Sequence, residues 1–79
     1  MDHIAAQEIA DKVAATILRK NRSKSSVALA VGIPATTFTR KIGGHAEFTF
    51  SELLRIAEEL ETSPSDLLPS VFVAKRIAA

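Results

Sequence analysis

Apolar residues recur along the first third of the chain at close to a helical period. Ile4, Ile9, Val13 and Ile17 mark the stripe, and Ala6, Ala10, Ala14 and Leu18 widen it. Asp11, Lys12, Arg19 and Lys20 fall largely outside it, so the pattern predicts an amphipathic helix from an Asp2 cap to about Asn21. Its alanines allow a neighbouring helix to approach closely, and its basic last turn suits the negative end of the helix dipole. The polar run from Arg22 to Ser26 breaks the periodicity. Any of its three serines is a suitable cap for the next helix, and Ser23 is the preferred one. A second helix to about Val31 would bury Val27, Ala28 and Val31 and stop at Gly32, which takes a left-handed conformation cheaply. Ile33 then turns inward, and Pro34 starts a third helix without losing a needed N–H.

The third helix, Pro34 to about Ile42, reads P-A-T-T-F-T-R-K-I. Phe38 and Ile42 are four apart and can anchor one side, leaving Ala35, Thr36, Thr37, Thr39, Arg40 and Lys41 for the other faces. Three threonines in so short a helix favour its intrinsic stability poorly, which points to a requirement on its outer surface. Gly43-Gly44 opens a loop, and Thr49 or Ser51 can cap a fourth helix whose core face is Leu53, Leu54, Ile56, Ala57 and Leu60. Phe48 and Phe50 are placed to staple that helix to the core. S-P-S-D-L-L-P reads as a short capped helix closed by Pro69. The expected fold class is all-α, with five compact helices in one domain over residues 1–69. Residues 70–79 form a tail or short helix whose Val71, Phe72, Val73 and Ile77 offer a dimerising surface.

Seventy-nine residues suit one small domain, since two cores would each be starved of buried surface. Apolar residues make up 47% of the chain, too many for a wholly disordered segment. Cysteine is absent, which removes disulfides, thiolate nucleophiles and cysteine zinc sites. The opening MDHIAAQEIADK is charged and amphipathic, and no run approaches the ~20 apolar residues that cross a bilayer, so a cytoplasmic protein without membrane association is expected. The net charge of +1 conceals a division along the chain. Residues 1–46 hold seven Lys or Arg against three Asp or Glu, whereas residues 47–74 hold Arg55 alone against six acids. If the fold separates these segments, the molecule has a basic and an acidic side.

Ala28, Gly32, Ile33 and Phe38 carry the physical case for a helix-turn-helix over residues 25–42. Two helices crossing steeply need a small residue at the crossing, a tight exit, an apolar wedge under the turn and an anchor beneath the second helix. These four residues supply those parts in that order. The opposite face of the second helix is then free to protrude, and a protruding helix matches a DNA major groove. The stretch S-K-S-S-V-A-L-A-V-G-I-P-A-T-T-F-T-R-K-I-G-G, followed by F-T-F-S-E-L-L-R-I-A-E-E-L-E-T-S-P-S-D-L-L, resembles the lambda-repressor-like, Cro/C1-type helix-turn-helix family. Within it, the resemblance is greatest to small phage and prophage immunity repressors of actinobacterial hosts. It extends from the first helix to about Leu68 and implies a five-helix domain that lays its third helix in the major groove and works as a homodimer on palindromic operators.

Carried over by position, the resemblance places Ala35, Thr36, Thr37 and Arg40 on the face that reads bases. It also makes Lys24 or Ser25 the start of the second helix, where phosphate is met. Arg40 is the strongest single candidate, because a guanidinium can fork onto guanine or clamp phosphate. The threonine hydroxyls can reach base or phosphate acceptors, and their methyls can touch thymine. Arg19, Arg22, Lys24 and Lys41 form the expected electrostatic clamp, with Ser25, Thr39 and His45 as further phosphate contacts. Two positions depart from the family pattern: Lys24 replaces the usual glutamine, and Pro34 replaces a serine or threonine cap. No phosphate loop, nucleophile and base pair or metal-ligand cluster accompanies these residues, so neither catalysis nor a metal, cofactor or small-molecule ligand is expected. The expected function is sequence-specific binding of double-stranded DNA as a transcriptional repressor. The alternatives are a protein-interaction module such as an antitoxin, with its acidic half meeting a basic partner, and the DNA-binding fragment of a longer repressor.

Overall fold

The computed structural model describes residues 3–69, which form four α-helices and a 3-10 helix: α1 (His3–Arg19), α2 (Lys24–Val31), α3 (Ala35–Ile42), α4 (Phe50–Glu59) and the 3-10 helix Pro64–Leu67. The Asp2 cap and everything expected of residues 70–79 lie outside the described residues, as does the side chain of Ile4. Helix α1 packs against α2, α3 and the 3-10 helix, while α2 packs against α3 and α4. Their shared core contains Ile9, Val13 and Ile17 of α1, Val27, Ala28 and Val31 of α2, Phe38 of α3, and Leu53, Ile56 and Ala57 of α4. Ile33, Leu60 and Leu67 fill it from the connections and the 3-10 helix.

Three apolar positions differ from the expected pattern. Leu18 is 78% exposed, because Ile17 takes the core direction and the next residue is turned about 100° from it. Leu54 is exposed beside buried Leu53 for the same reason. Phe50 is 64% exposed, whereas Phe48 packs on the core and meets Phe38 edge-to-face at 5.7 Å between centroids, so Phe48 alone supplies the aromatic staple. The expected fifth helix is a single 3-10 turn. Pro69 has no N–H to extend it and presses Leu68 into an extended conformation, observed at φ −91° and ψ 155°.

All four α-helices end in one way. A left-handed residue follows the last turn, and the next N–H reaches back to the carbonyl five residues earlier: Arg22 to Ile17, Ile33 to Ala28, His45 to Arg40 and Thr62 to Ala57. The left-handed positions are Asn21, Gly32, Gly44 and Glu61. Glycine suits Gly32 and Gly44 at no steric cost, and at Gly44 an added Cβ would also collide with the Gln7 amide of α1. Glu61, at φ 54°, carries the steric cost that glycine avoids. Glu61→Gly should therefore stabilise the domain by up to about 1 kcal/mol, a rise of several degrees in thermal midpoint. An unchanged or lower midpoint in a melting experiment would show that the left-handed cap at Glu61 carries no strain.

Candidate nucleic-acid interface

The geometry of α2 and α3 follows from their caps and anchors. Ser23 adopts an extended conformation, and its Oγ accepts from the Ser26 amide at 3.1 Å, which confirms it as the cap of α2 and makes Lys24 the first helical residue. Pro34 stands one position earlier than expected. With φ −55° and ψ 142° it is the N-cap of α3, and it offers no side-chain hydrogen bond. Phe38, 1% exposed, holds α3 to the core, and half-buried Ile42 packs beside it. Ala35, Thr36, Thr39 and Arg40 are exposed and together line one shallow depression on α3, while Thr37 is half-buried and does not line it.

A second cleft joins the two helices. Lys24 and Ser25 from α2 face Ala35 and Thr39 from α3 across a floor formed by Ala28 and Phe38. The structure thus brings Lys24, Ser25, Ala35, Thr36, Thr39 and Arg40 into one continuous surface. Lys24, Arg40 and Arg19 are exposed and have no acidic partner among the described residues. His45 is exposed in the α3–α4 loop, with its ring lying over Gly43. Thr39 is constrained in a way its position in the chain did not reveal: its hydroxyl donates to the Ala35 carbonyl at 2.9 Å, which leaves it an acceptor and a methyl group to present outward.

Two cations of the expected clamp are drawn into the scaffold. Arg22 Nη1 pairs with Glu59 at 3.0 Å, and its Nε donates to Ser26 Oγ at 3.3 Å. Lys41 Nζ lies 2.6 and 2.8 Å from the two carboxylate oxygens of Glu52. These pairs join the basic and acidic segments, so the charge division along the chain is partly neutralised where the segments meet. Glu52 also completes a capping box: its Oε1 accepts from the Thr49 amide at 2.8 Å, and Thr49 Oγ1 accepts from the Glu52 amide at 3.1 Å. Between the two candidate caps, Thr49 is therefore the one used. Burial opposes ionisation of Glu52, but the hydrogen bonds and charge of Lys41 and the bonds from Thr49 outweigh it, holding the carboxyl below the ordinary glutamate pKa.

Sequence reasoning passed over Arg55, whose Nη1 donates to the Val31 carbonyl at 2.8 Å. It satisfies a carbonyl left open at the end of α2, beside the turn. A lone cation in an otherwise acidic stretch was the available signal. Glu52, Arg55 and Glu59 recur at helical spacing along α4 and grip three points of the helix pair: the end of α3, the end of α2 and the polar link before α2.

Small-residue crossing, tight turn, buried anchor and protruding short helix define a helix-turn-helix DNA-binding domain. Residues 15–71 match the family model described as the Cro/C1-type HTH DNA-binding domain. The chain belongs to that family, whose members bind DNA and serve in transcription regulation. Neither curated proteins nor solved structures gave a match. Among the described residues, no helix is long and apolar enough to cross a membrane, and no group of three His, Asp or Glu is placed to hold a metal ion.

The Glu52 capping box gives a pH test. A carboxyl whose folded pKa is depressed contributes stability that is present above the unfolded pKa and disappears as pH falls through the folded one. Glu52→Gln should therefore cost about 1 kcal/mol at neutral pH, and its denaturation curve should converge on that of the unsubstituted protein in the acid range below the ordinary glutamate pKa. A difference independent of pH would show that the carboxylate charge is not the source.

Proposed function

We propose that the protein is a sequence-specific transcriptional repressor of phage or prophage type that lays α3 in the major groove of an operator. The observation that carries this reading is the sidedness of α3. Phe38 and Ile42 hold one side in the core, while Thr36 and Arg40 stand away from it and line one exposed depression with Ala35 and Thr39, with Arg40 unpaired among the described residues. Arg40 supplies a guanidinium for guanine or phosphate, Thr36 and Thr37 supply hydroxyls, and Ala35 with the threonine methyls supplies apolar contact for thymine. Lys24 and Ser25 meet the phosphate wall at the start of α2, where open backbone amides add donors. Arg19 and His45, both exposed, supply further contacts to phosphate.

Eight residues of recognition helix read few base pairs, and useful discrimination against a genome of competing sites comes from pairing two copies on two half-sites. The protein accordingly acts as a homodimer on a two-fold operator and represses by excluding polymerase from the promoter.

Selection from random duplexes tests the reading directly and should return a two-fold symmetric sequence. Against the selected duplex, Arg40→Ala should lose at least ~1 kcal/mol of affinity. Retained affinity would remove Arg40 from the interface. Failure to bind any duplex at low salt, where phosphate attraction is greatest, would replace DNA reading with protein interaction as the role of this surface.

A further inference from the structure

We propose that Lys41 is a positioning residue of the DNA-reading surface and makes no contact with phosphate. The inference rests on the DNA-binding reading above and changes the part played by one cation within it. Lys41 follows Arg40 directly, yet the two side chains have opposite surroundings. Arg40 is exposed, whereas Lys41 and Glu52 side chains are only 12% and 13% exposed.

The Lys41 ammonium bonds both carboxylate oxygens of Glu52, and that carboxylate is itself held by the Thr49 amide. The Phe48 ring lies 6.0 Å from Lys41 Nζ and meets Phe38, the anchor of α3, edge-to-face. Phe38, Phe48, Lys41 and Glu52 thus close a circuit around the Gly43-Gly44 loop, fixing the end of α3 against the start of α4. Moving Lys41 to a phosphate would break two short charge-assisted bonds and leave a partly buried carboxylate unpaired near the DNA backbone. Both consequences oppose the move. Its charge is therefore neutralised within the protein, and its contribution to binding is the setting of α3.

The salt dependence of affinity separates the two roles, because a lysine that neutralises a phosphate contributes about 0.9 to the slope of log K against log salt. With the full chain and the duplex obtained by selection, Lys41→Gln and Glu52→Gln should each weaken specific binding by about threefold or more, and Lys41→Gln should leave the slope unchanged. The double variant should be no weaker than the weaker single one. Lys41→Arg, which can still bridge Glu52, should restore affinity. Glutamine at position 52 keeps the capping box, so loss of the helix cap does not confuse the result. A fall of about 0.9 in slope for Lys41→Gln, with Glu52→Gln binding as well as the unsubstituted protein or better, would overturn the proposal.

A second measurement needs no DNA. Lys41→Gln and Glu52→Gln should shift the amide resonances of residues 38–45 in the free protein in the same direction. Unshifted resonances would overturn the circuit. If the unsubstituted chain binds no duplex, the DNA reading itself falls and this role falls with it, a result distinguishable from failure of the pair because it appears before any substitution.

Discussion

The burial of Phe38 is the contact on which the functional surface depends. Helix α3 has eight residues, three of them threonine, and begins at a proline that gives it no side-chain cap. An isolated helix of that length and composition does not hold together in water, because nucleation costs more than two turns return. It exists here because Phe38 reaches the core shared by α1, α2 and α4. The same contact determines which way the helix faces. With Phe38 directed inward, Thr36, Thr39 and Arg40 are turned about 100° or more away from it and stand exposed, and Ala35 is exposed at the rim of the cleft toward α2. Stability and presentation are two results of one buried ring.

Around that ring, α4 acts as a brace. Its apolar side contributes Leu53, Ile56 and Ala57 to the core, and its polar residues Glu52, Arg55 and Glu59 hold the ends of the helix pair. Apolar packing alone would leave the angle between α2 and α3 open to sliding. Charged hydrogen bonds at defined points narrow that freedom, since they have direction and hydrophobic contact has none.

Local chemistry was readable from the chain. Ser23, Ala28, Gly32, Ile33 and Phe38 stand close together, and each has a physical requirement that its residue type answers. The first four helices followed from apolar periodicity and from serine, threonine, glycine and proline at their ends. Hidden features depended on partners far away in sequence. Lys41 and Glu52 are separated by a loop, and Arg22 meets Glu59 across 37 positions of the chain. Periodicity ranks the faces of a helix but does not tell which of two adjacent apolar residues is covered, so it points Leu18 and Leu54 inward where they lie outward. Left-handed caps at Asn21 and Glu61 carry a weaker signal in the chain than glycine does: asparagine adopts that conformation less often, and glutamate does so at a steric cost. The surface joining Lys24 and Ser25 to α3 was legible as a set of residues. Whether each side chain stayed available was not, as the internal bond of Thr39 demonstrates.

The separation between brace and surface bears on how such a domain can change. Lys41, Arg55 and Arg22 hold scaffold contacts, whereas the side chains of Ala35, Thr36 and Arg40 form no ion pair or hydrogen bond among the described residues. Under the DNA-reading proposal, those three positions can be rewritten for another operator without disturbing a contact that sustains the fold. Divergence of target and preservation of architecture then proceed on different residues, and a lineage can explore new binding sites without first having to recover its stability.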